Sequence, residues 1–312
     1  MRPAPARVRS PLAASAAFLL AAGSIALSSC AGREPTPRPM PPRPTCTDSG
    51  GARAPAPPPP PAHGRPSPAE AEPEVVQLQV RWDEAAGLDY MEVVVGDVDV
   101  NDPLPLILGL HGLGDRPHVP DEARLGEGLA YRIVMPRAPE RWGATGYTWL
   151  PVRVRDGKID VLSESLADEA QQLAAFLEAV QAERPTIGRP VVTGGSQGGM
   201  LTFALAVRHP AAVAGAVPVM GWLPPPLVPD AVQDAEAYPP IYAVHGEADR
   251  IIPVGPTERS VDALRSLGLD VRLETFEGVG HHMSDPMDVQ VRSWLGEMLR
   301  AQLATARRPA WR

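Results

Sequence analysis

The stretch Gly194-Gly195-Ser196-Gln197-Gly198-Gly199 places a serine among four glycines, after a short apolar run that ends at Thr193 and before a helical run. It fits the pattern Gly-x-Ser-x-Gly, in which the serine occupies a strained turn between a strand and a helix and bulky neighbours are excluded. The pattern predicts that Ser196 is a nucleophile and that the Gln197 amide faces a developing oxyanion at the helix amino terminus. The alternative is a glycine-rich turn whose serine only caps the helix.

Short β-rich runs alternate with helical runs on both sides of this turn, from about Glu74 to Leu303. The alternation predicts an α/β fold with a mostly parallel central sheet and helices on both faces. Val75 to Trp82 and Leu88 to Gly96 are predicted to open the sheet as an antiparallel pair. The other predicted strands are Leu106 to Leu110, Tyr131 to Met135, Val191 to Thr193, Val213 to Val219, Ile241 to Val244 and Val271 to Phe276.

Apolar periodicity predicts four helices between these strands. They are Ser163 to Arg184, Gly198 to Arg208, Val254 to Leu267 and Pro286 to about Leu303. Ser165 with Asp168 is interpreted as a capping box for the first helix, and Asp285 as the N-cap of the last. Because loops at the carboxyl ends of parallel strands form the crevice that binds ligands, we expect the chemistry in those loops.

A serine hydroxyl needs a base to remove its proton, and that base needs an acid to fix its tautomer. Asp249 is the best candidate for the acid because it lies just beyond a predicted buried strand, whereas we expect Glu247 and Asp270 to be solvated surface charges. The loop after the next strand carries His281 and His282, and the residues alone leave open which of them is the base. The chain order serine, aspartate, histidine is the order found with this serine turn.

A second oxyanion donor is expected after the strand that ends at Leu110, where small residues let the backbone bend towards the serine. The amide of Leu113 is the preferred donor and that of Gly112 is the alternative. His111 precedes the serine turn in the chain, and we expect it to pack or hydrogen-bond in the loop rather than to act as a base.

These motifs resemble the phospholipase/carboxylesterase family of α/β-hydrolases, which includes the acyl-protein thioesterases. The resemblance covers roughly Leu104 to Leu303. It rests on His111 to Asp115, Tyr147 to Leu150, Gly194 to Gly199, Gly221 to Pro224, His245 to Asp249 and Gly280-His281. It implies the α/β-hydrolase fold with Ser196 as nucleophile, Asp249 as acid and His281 as base, since the histidine of the family directly follows a small residue.

The resemblance also implies further site residues and an activity. The amides of Leu113 and Gln197 would form the oxyanion hole, and Trp149 and Trp222 would line the acyl pocket, with ordinary core aromatics as the alternative for both. The implied function is that of a serine carboxylesterase, which cleaves carboxylic ester, thioester or lysophospholipid bonds through an acyl-enzyme. About 230 folding residues leave little for a lid, which favours short or medium acyl chains.

The first 73 residues have a different composition. Residues 1–29 combine arginines, an apolar run and small residues, the layout of a secretory signal peptide. The last residues before and at Cys30 resemble the lipobox of bacterial lipoproteins, which implies an exported cell-envelope lipoprotein facing the periplasm or the cell surface, anchored to the membrane through a lipidated Cys30. Residues 30–73 are rich in proline and predict a disordered tether, and residues 74–312 are assigned to the catalytic domain.

Charge and cysteine content limit the partners. The chain has 37 acidic and 29 basic residues, and its net charge of -8 disfavours nucleic acid. Cys30 and Cys46 are the only cysteines, so no intramolecular disulfide framework is expected once Cys30 carries lipid. The seven histidines show no spacing typical of zinc, and the chemistry requires no metal or organic cofactor. The expected partners are a small-molecule ester and, through Cys30, the membrane.

The sequence leaves three other functions open. A secreted polyester depolymerase or feruloyl esterase would use the same residues on polymers. A serine peptidase is disfavoured because the chain has no room for the extra domain that often gates peptides. A non-catalytic, surface-anchored binding protein would keep the fold without the chemistry.

Overall fold

The computed structural model describes residues 78–119, Leu125 and residues 128–306. The predicted signal peptide, the lipidation site Cys30, the tether and Cys46 lie outside these residues, so they remain predictions. No helix in the described residues is both long enough and apolar enough to cross a membrane.

An eight-stranded sheet in the order β1-β2-β4-β3-β7-β8-β9-β10 forms the centre of the domain. β1 pairs antiparallel with β2 and β2 antiparallel with β4, while every pairing from β4 to β10 is parallel. The strands are β1 (Leu78–Ala85), β2 (Leu88–Val95), β3 (Leu106–Leu110), β4 (Tyr131–Pro136), β7 (Val191–Gly195), β8 (Gly215–Val219), β9 (Ile241–Gly246) and β10 (Val271–Phe276). The predicted mostly parallel sheet is confirmed.

A short hairpin was not predicted. Its strands, β5 (Glu140–Trp142) and β6 (Gly146–Thr148), form a separate two-stranded sheet. The hairpin holds the loop after β3, because Gly114 donates to the Tyr147 carbonyl at 2.8 Å and Tyr147 donates to the Asp115 carbonyl at 3.0 Å. It therefore fixes the loop in which the second oxyanion donor was predicted.

Among the described residues, four α-helices cover the sheet: α1 (Ile159–Glu183), α2 (Gln197–Arg208), α3 (Val254–Ser266) and α4 (Asp285–Ala306). The predicted capping box at Ser165 and Asp168 is wrong, because α1 begins at Ile159 and contains both residues. The residue before the helix, Lys158, makes no side-chain cap. A helix without a polar cap gives no sequence signal at its start.

Two apolar clusters bury the two faces of the sheet, which confirms helices on both faces. On one face, α1, α2 and α3 bury a cluster that includes Leu166, Leu173, Phe203, Val261 and Leu264. On the other face, α4 packs Met287, Val291, Trp294 and Leu299 against residues such as Val93, Ile133 and Val217. The carboxyl ends of the parallel strands remain for the loops that follow them.

A buried ionic cluster joins the antiparallel edge of the sheet to the end of α1. Glu92 accepts from Arg132 at 2.7 Å through one oxygen, and from Arg81 at 2.6 Å and Arg184 at 3.1 Å through the other. Arg132 also donates to two backbone carbonyl oxygens. The side chains of Glu92 and Arg132 are 1% and 0% exposed, whereas Arg184 extends the cluster to Asp83, whose side chain is 40% exposed.

Candidate active site

Ser196 lies between β7 and α2 with φ 58° and ψ −114°. A positive φ is rare for a residue with a side chain and marks local strain held by the surroundings. The Ser196 amide donates to the Val219 carbonyl at 2.9 Å, and a Cβ added to Gly194 would lie 2.6 Å from the Leu110 carbonyl oxygen. A Cβ on Gly198 would clash with the same oxygen. The glycines are therefore required by close backbone packing around the turn.

The structure brings His281 and Asp249 to this serine. Nε2 of His281 lies 2.9 Å from Ser196 Oγ, and Nδ1 lies 2.6 Å from Asp249 Oδ2. Because a carboxylate only accepts, Nδ1 carries the hydrogen and Nε2 is left to accept from the hydroxyl. His282, in contrast, is exposed.

Asp249 is buried and fully hydrogen-bonded, whereas the competing acids are not near the serine. Its Oδ1 accepts from the amides of Ile251 at 2.8 Å and Ile252 at 3.0 Å. Burial alone would raise the pKa of Asp249, but the hydrogen bonds from His281 and these two amides outweigh it and lower the pKa. Glu247 and Asp270 instead bind Thr275 and Tyr242, respectively, in exposed positions.

Sequence reasoning missed a second histidine at the acid. His245 is completely buried, and its Nε2 lies 2.8 Å from the Ile252 carbonyl oxygen and 3.3 Å from Asp249 Oδ2. Burial lowers the pKa of His245, so the ring is neutral with its hydrogen on Nε2, facing two acceptors. The hydroxyl oxygen of Thr257 lies 3.1 Å from the other ring nitrogen, Nδ1. The signal for this role was the spacing of four residues between His245 and Asp249 across the end of β9.

The two residues whose amides were predicted as oxyanion donors, Gln197 and Leu113, line the same cavity as Ser196. Gln197 is the first residue of α2, where a backbone N–H has no intrahelical acceptor. Its side-chain oxygen accepts from the Thr148 hydroxyl at 3.1 Å and the Trp149 amide at 3.2 Å, which fixes the start of the helix. Leu113 lines the cavity next to Ser196. Gly112 is also adjacent, since a Cβ there would lie 3.4 Å from Ser196 Cβ.

The loop after β3 is organised by His111. Its Nε2 accepts from the Ala138 amide at 3.1 Å, so Nδ1 carries the hydrogen and donates to the Gly112 carbonyl at 2.8 Å. Trp149 donates from Nε1 to the His111 carbonyl at 3.0 Å. His111 thus hydrogen-bonds within the loop, in the manner expected.

The two tryptophans lie in the core rather than on the cavity wall. Trp149 is 2% exposed and packs against His111 with ring centroids 5.2 Å apart, and Trp222 is 7% exposed within the cluster under α1, α2 and α3. Neither belongs to the described residues that line the cavity at Ser196. Leu150, the neighbour of Trp149, lines it instead.

A cavity of about 360 Å³ opens beside Ser196. Its buried wall is apolar and is formed by Leu150, Leu162, Met200 and Ile252. No group of three or more His, Cys, Asp or Glu side chains that could hold a metal ion occurs within the described part of the chain. The arrangement presents a serine hydroxyl, a proton acceptor and an apolar wall to whatever enters.

A serine on a strand-to-helix turn, at the carboxyl edge of a sheet with this strand order, defines an α/β-hydrolase. The crystal structure of esterase PE8 has the same fold, with a TM-score of 0.55 and 23% identity over 72% of this chain and 100% of that one. The chain belongs to the Phospholipase/Carboxylesterase family, whose model matches residues 91–296. The predicted family and fold are therefore confirmed.

Two curated relatives match most of their own length. Carboxylesterase SOBER1 of Arabidopsis thaliana is 24% identical over 212 residues, which are 64% of this chain and 92% of the relative. Acyl-protein thioesterase 1 of Gibberella zeae is 27% identical over 193 residues, 56% of this chain and 82% of the relative. The chain is thus similar to enzymes named for the hydrolysis of oxygen esters and of thioesters.

Proposed function

We propose that this protein is a serine carboxylesterase in which Ser196 is the nucleophile, His281 the general base and Asp249 the acid that orients the base. The observation that carries the proposal is the 2.9 Å contact between His281 Nε2 and Ser196 Oγ, with the opposite ring nitrogen held by a buried carboxylate. This is the geometry that nucleophilic acyl transfer requires.

In the proposed mechanism, His281 Nε2 takes the hydroxyl proton as Ser196 Oγ bonds to the ester carbonyl carbon. The amides of Gln197 and Leu113 stabilise the negative oxygen of the tetrahedral intermediate. His281 then gives its proton to the leaving alcohol, which departs and leaves an acyl-enzyme. A water molecule, deprotonated by the same nitrogen, attacks the acyl carbon, and proton return to Ser196 releases the carboxylic acid.

The substrate class follows from the cavity and the relatives. A volume of about 360 Å³ suits a short or medium acyl chain along the apolar wall. The names of the two relatives favour oxygen esters and thioesters as the substrate classes. A series of nitrophenyl esters with acyl chains of two to twelve carbons measures the preferred acyl chain length. The matching octanoyl thioester measures whether an oxygen or a sulfur leaving group is preferred.

A fluorophosphonate probe and two matched variants test the catalytic roles. We expect the purified wild type to be labelled and Ser196→Ala to be unlabelled, with ester turnover reduced on the order of 10⁴-fold or more. His281→Ala should lose turnover, whereas His282→Ala, which alters the neighbouring exposed ring, should retain it. Loss in the second variant and not in the first would show that the base is misassigned.

The same measurements separate the other functions. An unlabelled wild type that hydrolyses no ester would favour a non-catalytic binding protein. Release of acid from polyhydroxybutyrate or from feruloyl esters, at rates above those for nitrophenyl esters, would favour a polymer-degrading enzyme.

The proposal includes the location of the enzyme: an exported lipoprotein whose Cys30 carries the anchor and whose proline-rich residues 31–73 extend the domain from the membrane. The lipobox-like sequence at Cys30 supports this part. We expect an alkyne analogue of palmitate to label the wild type and the control Cys46→Ser, but not Cys30→Ser. Label that persists without Cys30 would contradict the anchor.

A further inference from the structure

Arginines are concentrated at the cavity that contains Ser196. Arg153, Arg155 and Arg250 line it, and no aspartate or glutamate is among the described residues of its lining. The whole chain has the opposite balance, with 37 acidic and 29 basic residues. The cavity is therefore a positive region on an acidic protein, and a positive cleft attracts anionic ligands.

Two of the three guanidinium groups take part in no ion pair within the described residues. Arg153 pairs with Asp156 at 3.5 Å and lies over the Trp142 ring at 5.8 Å. Arg155 and Arg250 are exposed, and within the described residues neither makes an ion pair or a hydrogen bond. Asp156, the acid closest in sequence, acts on Arg155 only through its charge, because it is ion-paired with the side chain of Arg153 and accepts from the Arg153 amide.

The cavity has an apolar part and a charged part. Leu162 and Met200 are 1% and 0% exposed and form the inner wall, whereas Arg155 and Arg250 are exposed and stand at the mouth. Ser196 lies on the same cavity. A ligand that fills both parts has an apolar portion and an anionic group, and guanidinium groups pair with carboxylate and phosphate oxygens through two parallel hydrogen bonds.

We infer that the preferred substrates are esters that carry a carboxylate or phosphate group, which Arg155 and Arg250 bind at the mouth of the cavity. The inference rests on the proposed esterase function and names the class of ester. The anionic group makes no bond in the reaction; it holds the ester while Ser196 attacks the carbonyl carbon.

Matched pairs of esters test the inference and distinguish a carboxylate from a phosphate as the anionic group. Mono(4-nitrophenyl) adipate and 4-nitrophenyl hexanoate share a six-carbon acyl chain, but only the first ends in a carboxylate. 1-Octanoylglycerol 3-phosphate and 1-octanoylglycerol differ only by the phosphate. For at least one pair we expect the wild type to have a higher kcat/KM for the anionic ester, and added salt to reduce that preference.

A double variant at the cavity and a control variant at a distant arginine assign the effect. In Arg155→Gln/Arg250→Gln we expect the anionic-to-neutral ratio of kcat/KM to fall about 10- to 100-fold, mainly through KM. Arg208→Gln removes the same charge at the far end of α2, about 18 Å from Ser196, and should leave the ratio unchanged. An unchanged ratio in the double variant, or a wild type that prefers the neutral member of both pairs, would overturn the inference.

Failure of the inference is distinct from failure of the esterase proposal. Hydrolysis of hexanoate with no preference for anions overturns only the inference. If no ester is hydrolysed, calorimetric binding of adipate and of glycerol 3-phosphate to the wild type and the double variant still decides it. Binding of at least one anion that the double variant loses supports an anion site, and equal or absent binding of both overturns it.

Discussion

Glu92 and Asp249 are both buried carboxylates, but they lie at opposite parts of the sheet and have different partners. Glu92 joins β2 to β4 and to the end of α1, and each of its oxygens faces an arginine. Asp249 follows β9 and accepts two backbone amides through one oxygen and two histidines through the other. The first group is surrounded by permanent cations, and the second by groups that are neutral or can change protonation.

The two networks also end differently. From Glu92, the bonds lead through Arg132 to backbone carbonyl oxygens and through Arg184 to the carboxylate of Asp83. From Asp249, they lead through His281 to Ser196, a half-buried hydroxyl at a cavity. A buried carboxylate whose network consists of arginines and fixed acceptors joins structural elements, whereas one whose network ends at an accessible hydroxyl can direct a proton. This difference distinguishes structural from reactive polar clusters within one domain.

The largest expected effect is on turnover at Asp249. In Asp249→Asn the side-chain amide can donate to Nδ1 of His281. This favours the tautomer with its hydrogen on Nε2, towards Ser196, and in this tautomer His281 cannot act as a base. We expect kcat to fall about 10⁴-fold, with little change in the melting temperature. Steady-state kinetics and thermal unfolding measure the two quantities. A loss of less than tenfold would contradict the role of Asp249.

At Glu92 we expect the reverse pattern. Glu92→Gln leaves the buried guanidinium of Arg132 without its counter-ion, which should lower the free energy of unfolding by about 3–5 kcal/mol. The kcat per folded molecule should stay within about twofold, as measured by active-site titration. Asp83→Asn, which removes an exposed partner of Arg184, is the control and should cost less than about 1 kcal/mol.

His245 tests whether the network behind Asp249 positions it. His245→Phe keeps a buried ring but removes the Nε2 donor, and we expect kcat to fall on the order of tenfold to a hundredfold with KM nearly constant. His245→Gln can still donate a hydrogen bond and should recover part of the rate. Equal losses in both variants, together with equal drops in melting temperature, would indicate a role in packing alone.

Glu169 on α1 provides a third carboxylate, one without a cation. Burial, with the charges of Asp168 and Glu140, raises its pKa to about 7, and its Oε2 has no hydrogen-bond partner in the part of the chain that the structure describes. The folded state therefore keeps this proton while the unfolded chain releases it from about pH 4.5 upwards, so stability falls as the pH rises from there to about 7.

Replacement by a neutral amide should remove this dependence. We expect Glu169→Gln to raise the melting temperature by about 2 °C at pH 8 and by less at pH 5. Glu164→Gln, an exposed change on the same helix, is the control. A larger gain at pH 5 than at pH 8 would contradict the raised pKa.

The sheet was predictable because its central strands are buried on both faces and appear as continuous apolar runs. β3 and β10 begin and end at the predicted residues, and the other strands differ by a few residues. The hairpin of β5 and β6 was missed because each of its strands has three residues, which is too short for a periodic pattern. The predicted start of α1 was wrong because Lys158, the residue before the helix, gives no capping signal.

The candidate site was predictable to a smaller extent. The motifs indicated which loops meet, and the structure places Ser196, Asp249 and His281 within hydrogen-bond distance; their catalytic roles stay predictions until the variants are measured. The positions of Trp149 and Trp222 depended on side-chain direction, which motif spacing does not determine. The arginines at the cavity mouth lie in two separate segments, the short 3-10 helix Val154–Asp156 and the turn after β9, so only the fold brings them together.

The close packing of Gly194 and Gly198 against β3 has a consequence for folding. Gly194 and Gly198 face the carbonyl of Leu110, while the serine also requires a histidine that lies 85 residues further along the chain. Contacts between such distant segments form slowly, because a long loop must close before they stabilise anything. During refolding from denaturant, fluorophosphonate reactivity should therefore recover with the slowest phase of tryptophan fluorescence change. The reactivity of Ser196 then reports the completion of the sheet.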